Sequence, residues 1–303
     1  YEAITHATTH ALPFTVLGGG SNVLARDDNY EGVVILIRIP GITYKEEGDL
    51  VQVAVGAGVE WETLVTDCVA KGYWGIENLA GIPGTVGAAP VQNIGAYGAE
   101  LQSIFLSAEV INAQTGEEAT YDASACEFGY RDSVFKHNRA LVICSVTLRL
   151  SKPATPRLGY GDLAELVRSG AAMDTPEHIA TNVRLVRAKK FPDLSLHGTA
   201  GSFFKNPIIT QELFTTLTQK YGAIPSFPAA NNGIKIPLAF ILDKVLGLRG
   251  YRDAHVYLFG NQPLVLVADE GAAASDIDTF ANAIAKKVFD ATSISIEREV
   301  QTL

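Results

Sequence analysis

Two glycine-rich runs hold the residues best suited to chemistry. The first is Gly18-Gly19-Gly20-Ser21-Asn22, directly after an apolar stretch at 13–17. Adjacent glycines let several backbone N–H groups converge on an anion, because no Cβ blocks the approach. Ser21 and Asn22 add side-chain partners. A tight strand-to-strand turn accounts for the same residues equally well. The run departs from GxGxxG at Val23 and no GxxxxGK[ST] occurs, so neither a Rossmann fingerprint nor a P-loop is supported. The second run, residues 80–98, contains five glycines and little that would fill a core. Within it Gly81, Ile82, Pro83, Gly84, Thr85 and Gly87 form a stretch whose backbone is fixed by the proline and followed by small residues. A helix N-terminus there can meet a diphosphate. Two such loops in one half of the chain imply one long, diphosphate-linked ligand that crosses both.

Composition narrows the class. A chain of 303 residues predicts two or three compact units. Apolar residues make up 47 % and charged residues 19 %, enough for ample cores. No apolar run approaches the roughly 18–20 residues of a membrane helix, and no signal peptide is visible. The net charge of −9 disfavours nucleic-acid binding, yet a few basic residues can still converge on a small anion. Cys68, Cys126 and Cys144 lack CxxC spacing, which fits a reducing compartment and argues against a zinc site or a disulfide scaffold. The six histidines form no metal-ligand pattern, so no metal is expected.

The elements that must carry these loops follow from periodicity. Strands are expected at 13–17, 33–39 and 51–55. A helix is expected at 60–70, with Trp61, Leu64, Val65, Cys68 and Val69 on one face and Gly72 as its stop. Residues 107–112 and 141–150 read as strands of an antiparallel sheet, with a turn at Thr115-Gly116. Residues 151–200, which include Pro153, Pro156, Pro176 and Pro192, read as a connecting region containing a helix at 175–189. From Gly201 onward an α/β unit is expected: helices at 210–221, 237–246 and 274–289, a strand at 264–268, and a terminal strand at 293–300. No internal repeat or low-complexity tract is present.

Five motifs in order make a specific resemblance. They are Leu17-Gly18-Gly19-Gly20-Ser21-Asn22-Val23-Leu24, the run at 80–98, Gly129-Tyr130-Arg131-Asp132-Ser133, Ala200-Gly201-Ser202-Phe203-Phe204-Lys205-Asn206-Pro207, and Glu297-Arg298-Glu299-Val300. Together the chain resembles the UDP-N-acetylenolpyruvoylglucosamine reductases, flavoproteins with the vanillyl-alcohol-oxidase-type FAD fold. Leu158-Gly159-Tyr160-Gly161-Asp162-Leu163 resembles the tyrosine loop of one subclass. The resemblance implies an α+β fold with a two-part FAD-binding region and a separate α/β substrate-binding domain. The expected partition is 1–40 with 293–303 as the first FAD-binding subdomain, 41–150 as the second, 151–200 as the connecting region with the tyrosine loop, and 201–292 as the substrate-binding domain. The family has a further strand and helix ahead of these motifs, so a preceding segment is expected; Tyr1 is not a methionine.

The implied reaction passes hydride from NADPH, the co-substrate, through non-covalent FAD to the enolpyruvyl ether of UDP-N-acetylglucosamine. Hydride adds at the carbon distal to the carboxylate, and the adjacent carbon then needs a proton. Arg131 suits the carboxylate, since a guanidinium pairs with it in a planar fork; alone it would be an ordinary surface arginine. Ser202 is the implied proton donor, with Lys205, Asn206 or water as helpers; without the family, Gly201-Ser202 would be a turn. Glu299 is the implied third catalytic group, effective as a donor only if burial raises its pKa. Glu297 lies two residues away on the same strand face, and the choice between them rests on the resemblance. Lys190, Tyr160 and Asn206 are assigned to the substrate diphosphate, with Tyr97 and Tyr130 as further substrate contacts. Lys190 could equally be a solvated helix end. A cytoplasmic monomer is expected, with no nucleic-acid partner and no membrane insertion. Two rivals stay open at this point: another enzyme on the same FAD fold, and a non-catalytic flavin- or nucleotide-binding protein.

Overall fold

The computed structural model describes residues 2–303. Tyr1, the first residue of the expected first subdomain, lies outside them. The chain forms two compact units, 1–20 with 30–187 and 21–29 with 188–303. These units divide the chain at different points from the four segments anticipated above.

The first unit is built on an antiparallel five-stranded sheet. Its order is Ile42–Glu47, Leu50–Gly56, Leu141–Ser151, Phe105–Asn112 and Glu118–Asp122. Val51, Val53 and Val55 alternate into the core, each almost fully buried. Helix Trp61–Ala70 covers that core with the expected apolar face, and Gly72 in the left-handed region follows its end. Trp61 Nε1 donates to Leu79 O at 2.9 Å, which fastens the helix to the segment leading into the second glycine run. Phe14–Leu17 pairs in parallel with Val33–Leu36, so the first glycine run leaves the end of a strand. Several elements were not read from periodicity, among them helices Glu2–Thr9 and Gly161–Arg168 and strands Ile42–Glu47 and Glu118–Asp122. Helix Pro176–Lys190 forms where a helix at 175–189 was expected.

The second unit has two three-stranded sheets. One orders Ile208–Ile209, Ile234–Lys235 and Phe227–Pro228; the other orders Arg252–Asp253, Val256–Phe259 and Gln262–Ala268. Its core gathers Phe203, Phe204, Ile236, Leu238, Ile241, Leu242, Phe280, Ile284 and Val288. Helices Gln211–Tyr221 and Ala274–Thr292 match expectation. The helix expected at 237–246 is one α-turn, Leu238–Phe240, that widens into π-helical Ile241–Val245. The expected terminal strand at 293–300 does not form. Among the described residues its strand-like backbone hydrogen bonds run only between 297–299 and 203–205, and the strand proper is Gln301–Thr302, parallel to Val23–Leu24.

Candidate active site

In the first unit the two glycine runs lie against each other. A Cβ on Gly18 would meet Thr85 Oγ1 at 2.3 Å, and one on Gly19 would meet Gly84 Cα at 3.1 Å. Any larger residue would force the loops apart. Three backbone bonds pin the second run to neighbouring chain: Trp61 N to Gly84 O, Val86 N to Val59 O, and Gly87 N to Ala57 O, all at 2.9 Å. Gly81 N donates to Glu62 Oε2, and Arg187 Nε donates to Gly81 O at 2.9 Å. Burial pushes the Arg187 guanidinium pKa down.

Several donors face no acceptor across this loop pair. The N–H groups of Gly18, Gly19, Gly20 and Gly84 donate no backbone hydrogen bond among the described residues. Thr85 Oγ1 is buried without a partner there. Gly19 and Gly20 are exposed, so their amides are open to a ligand, while the Thr85 hydroxyl, being buried, is the group that needs a partner. A cradle that side chains cannot enter, with an orphaned hydroxyl and unspent amides, fits the phosphate-linked part of a flavin dinucleotide. Ser21 and Asn22 continue the first run in the second unit, where Asn22 Nδ2 donates to Glu299 O at 3.2 Å.

Arg131 is held in place from several directions. Its backbone is left-handed, φ +55°, within a tight turn in which Gly129 and Asp132 bond each other's main chain. Such a conformation at a non-glycine residue costs on the order of 1–3 kcal/mol and persists only when its surroundings enforce it. Asn93, fully buried, donates to Gly129 O at 3.0 Å and accepts from Gln102 N. Ser133 Oγ donates to Val91 O at 2.8 Å. The guanidinium itself donates to Gly95 O at 2.6 Å and lies 5.4 Å from the centroid of the Tyr130 ring. A Cβ on Gly95 would stand 2.8 Å from Arg131 Nη1, 3.0 Å from Glu100 Cγ and 3.1 Å from Ala99 O, so a larger residue here would displace the guanidinium.

Tyr97 and Tyr160 meet edge to face, ring centroids 5.6 Å apart. Tyr97 is buried and also left-handed; Tyr160, 43 % exposed, stands just before helix Gly161–Arg168. Burial pushes the Tyr97 phenol up to about 12 and raises that of Tyr160 as well, so both stay hydroxyl donors at neutral pH.

The remaining candidates belong to the second unit. Ser202 and Glu299 sit on neighbouring backbone segments, joined by Glu299 N donating to Phe203 O at 2.8 Å. Ser202 pairs with Val265 across the next strand, and its hydroxyl makes no hydrogen bond among the described residues. The two glutamates, expected on one face, differ in surroundings. The Glu297 side chain is 76 % exposed and ion-paired with Lys205 at 3.1 Å, whereas Glu299 is half-buried. Lys205 pairs with Glu297, and Asn206 Oδ1 accepts from Leu238 N at 2.9 Å; among the described residues neither side chain has a hydrogen bond to Ser202. Lys190 ends helix Pro176–Lys190 and is half-buried rather than solvated.

The structure thus gathers the candidates into two groups, one per unit. Sequence reasoning missed Asn78, Asn93, Gly95 and Arg187 as their supports. The available signal was polar residues inside apolar, glycine-punctuated stretches, where a buried amide has to find partners.

Comparison with known proteins covers both ends of the chain. An FAD binding domain profile matches residues 1–121, and the profile of the UDP-N-acetylenolpyruvoylglucosamine reductase C-terminal domain matches 193–303. The UDP-N-acetylenolpyruvoylglucosamine reductase of Chromobacterium violaceum is 39 % identical over 303 residues, covering 98 % of this chain and 88 % of that protein. The Escherichia coli K12 enzyme of the same name is 38 % identical over 302 residues, covering 99 % and 87 %. Among solved structures, UDP-N-acetylenolpyruvylglucosamine reductase from Thermus caldophilus shares the fold, with a TM-score of 0.65 at 23 % identity over 99 % of this chain and 89 % of that one.

Proposed function

This chain belongs to the UDP-N-acetylenolpyruvoylglucosamine reductases, and from that premise we propose a role for each residue of the two groups. The protein is an FAD-dependent oxidoreductase of peptidoglycan precursor synthesis, with NADPH as co-substrate. That membership removes both rival readings of the sequence. When bound, FAD takes hydride from NADPH and delivers it to the enolpyruvyl carbon distal to the carboxylate.

The glycine runs hold the cofactor: Gly18, Gly19, Gly20, Ser21 and Asn22 from one, Gly81, Ile82, Pro83, Gly84, Thr85 and Gly87 from the other. Neither stretch contains a histidine or cysteine, which supports non-covalent binding. Arg131 binds the enolpyruvyl carboxylate and offsets the charge that develops there. Ser202 Oγ gives its proton to the carbon beside the carboxylate. Glu299 assists, and its half-buried position, against the exposed Glu297, supports it over its neighbour. Lys190, Tyr160 and Asn206 hold the diphosphate, with Tyr97 and Tyr130 as further substrate contacts. Segments 1–40 with 293–303 and 41–150 are read as the two FAD-binding subdomains, and 201–292 as the substrate-binding domain. No helix among the described residues is long and apolar enough to cross a membrane. A cytoplasmic monomer is the state we assign, to be checked by sedimentation.

The observation that carries the assignment is the backbone bond from Glu299 N to Phe203 O, which brings the segments of Ser202 and Glu299 side by side, with the Ser202 hydroxyl bonded to no acceptor among the described residues. Its test separates the two half-reactions. Flavin reduction by NADPH needs no proton from serine, whereas the second half does. In Ser202→Ala, anaerobic stopped-flow should find flavin bleaching near the parent rate. Reoxidation by the enolpyruvyl nucleotide should slow by about 10²–10⁴-fold. Equal slowing of both halves would assign Ser202 a structural role instead.

A further inference from the structure

Asn78 precedes the second glycine run in a short 3₁₀ turn, Glu77–Leu79, and is 1 % exposed. Its Nδ2 lies 2.8 Å from the carbonyl oxygen of Tyr97 and 2.8 Å from that of Arg157. Two carbonyls can be satisfied there only by a donor, and an amide NH₂ carries two hydrogens. One side chain therefore ties two chain segments that are remote in sequence. The first segment carries Tyr97, whose left-handed backbone needs outside support. The second leads from Arg157 into the loop that ends at Tyr160, the residue whose ring meets Tyr97. Among the described residues, no backbone–backbone hydrogen bond anchors residues 155–159. The Asn78 amide is thus the inward hydrogen-bonded tether of that stretch, beside the Leu158 side chain that packs on the first core; the Arg157 guanidinium bonds outward, to Ser103 Oγ.

We propose that Asn78 is a positioning residue for substrate, acting through Tyr97 and Tyr160. It sets the approach of the tyrosine loop without itself touching the nucleotide. The inference rests on the assignment of both tyrosines to substrate, and the experiment separates the two. Asn78→Asp keeps the shape but puts an oxygen against two carbonyls. Asn78→Ser, which reaches one carbonyl at most, is the second variant should the first not fold.

In either variant, FAD affinity and the rate of flavin reduction by NADPH should stay within about twofold of the parent. KM for the enolpyruvyl nucleotide should rise about tenfold, the effect of losing one buried hydrogen bond. Amide hydrogen exchange at 157–163 should quicken, a change independent of any substrate role. Combining Asn78→Ser with Tyr160→Ala should raise KM no further than Tyr160→Ala alone, because both changes act through one contact. Unchanged exchange at 157–163 overturns the tether. Parallel loss of FAD binding and of both half-reactions overturns it too, in favour of a general structural role. Quickened exchange with KM unmoved in both Asn78→Ser and Tyr160→Ala leaves the tether standing and refutes the assignment of Tyr160 to substrate.

Discussion

At the scale of residues, the support of Arg131 can be tested without touching Arg131. Gly95 offers its carbonyl to the guanidinium at 2.6 Å and leaves the space that Nη1 fills. Gly95→Ala puts a methyl group in that space, and the nearby Ala99 carbonyl is backbone that cannot swing aside. The flexible partner must yield, so the guanidinium leaves its seat. A charge-assisted contact is worth roughly 1.5–3 kcal/mol. The second half-reaction in Gly95→Ala should therefore lose about 10- to 150-fold in kcat/KM, with flavin reduction by NADPH nearly unchanged. A variant with the parent's kcat/KM would show that the seat of Arg131 does not matter. The sequence flagged Arg131 only through its motif, since a lone arginine is ordinarily a surface ion pair. What raises it above that reading is the set around it, buried Asn93 and Ser133 with half-buried Gly95, which no periodicity announces.

At the scale of elements, periodicity reported burial faithfully and hydrogen bonding less so. Helix Trp61–Ala70 was legible because its buried residues recur every three to four positions. Residues 293–300 alternate because Ile294, Ile296 and Val300 pack on the second core, not because a ladder continues there. The π-helical widening at Ile241–Val245 shifts the helix by a residue and leaves the apolar spacing readable as α. The turn Glu77–Leu79 is a third case, for it buries a carboxylic acid almost completely. Glu77 accepts from Gly75 N at 2.6 Å, yet burial dominates and raises its pKa above the usual carboxylate value. A raised acid releases its proton in the unfolded chain first, so its stabilising contribution is complete at low pH and is lost as pH rises through the folded value. Glu77→Gln keeps an acceptor and removes the ionisation. Its melting temperature should gain on the parent's as pH rises from about 4, near the unperturbed value, to about 8. Parallel melting curves across that range would mean that Glu77 ionises in the fold at no cost.

At the scale of the whole molecule, the second unit is discontinuous, 21–29 with 188–303, whereas the resemblance implied a discontinuity with other bounds, 1–40 with 293–303. Residues 21–29 lie far from 188–303 in sequence, and no local pattern links them. Two contacts show what the insertion does. Val23–Leu24 supplies the parallel partner of Gln301–Thr302, and the Asp27 carboxylate accepts from Ala274 N and Ser275 N. Helix Ala274–Thr292 starts after Ala273, which has no side-chain oxygen to cap it, so the cap comes from 247 residues away. Those two backbone bonds hold the Asp27 pKa below its usual value. A lowered acid contributes stability that is present above the unfolded pKa and is lost as pH falls through the folded one. Asp27→Ala in the full chain should therefore quicken hydrogen exchange over the first turns of helix Ala274–Thr292. The five-stranded sheet of the first unit should keep the parent's protection, since none of its hydrogen bonds involves this residue. The melting-temperature deficit of Asp27→Ala should be largest near neutral pH and shrink as pH falls from about 5 toward 3, where the parent's own carboxylate is neutralised. A deficit constant over that range would assign Asp27 a packing role in place of the cap. Exchange that quickens equally in both units would show that the chain unfolds as one cooperative body instead of by units.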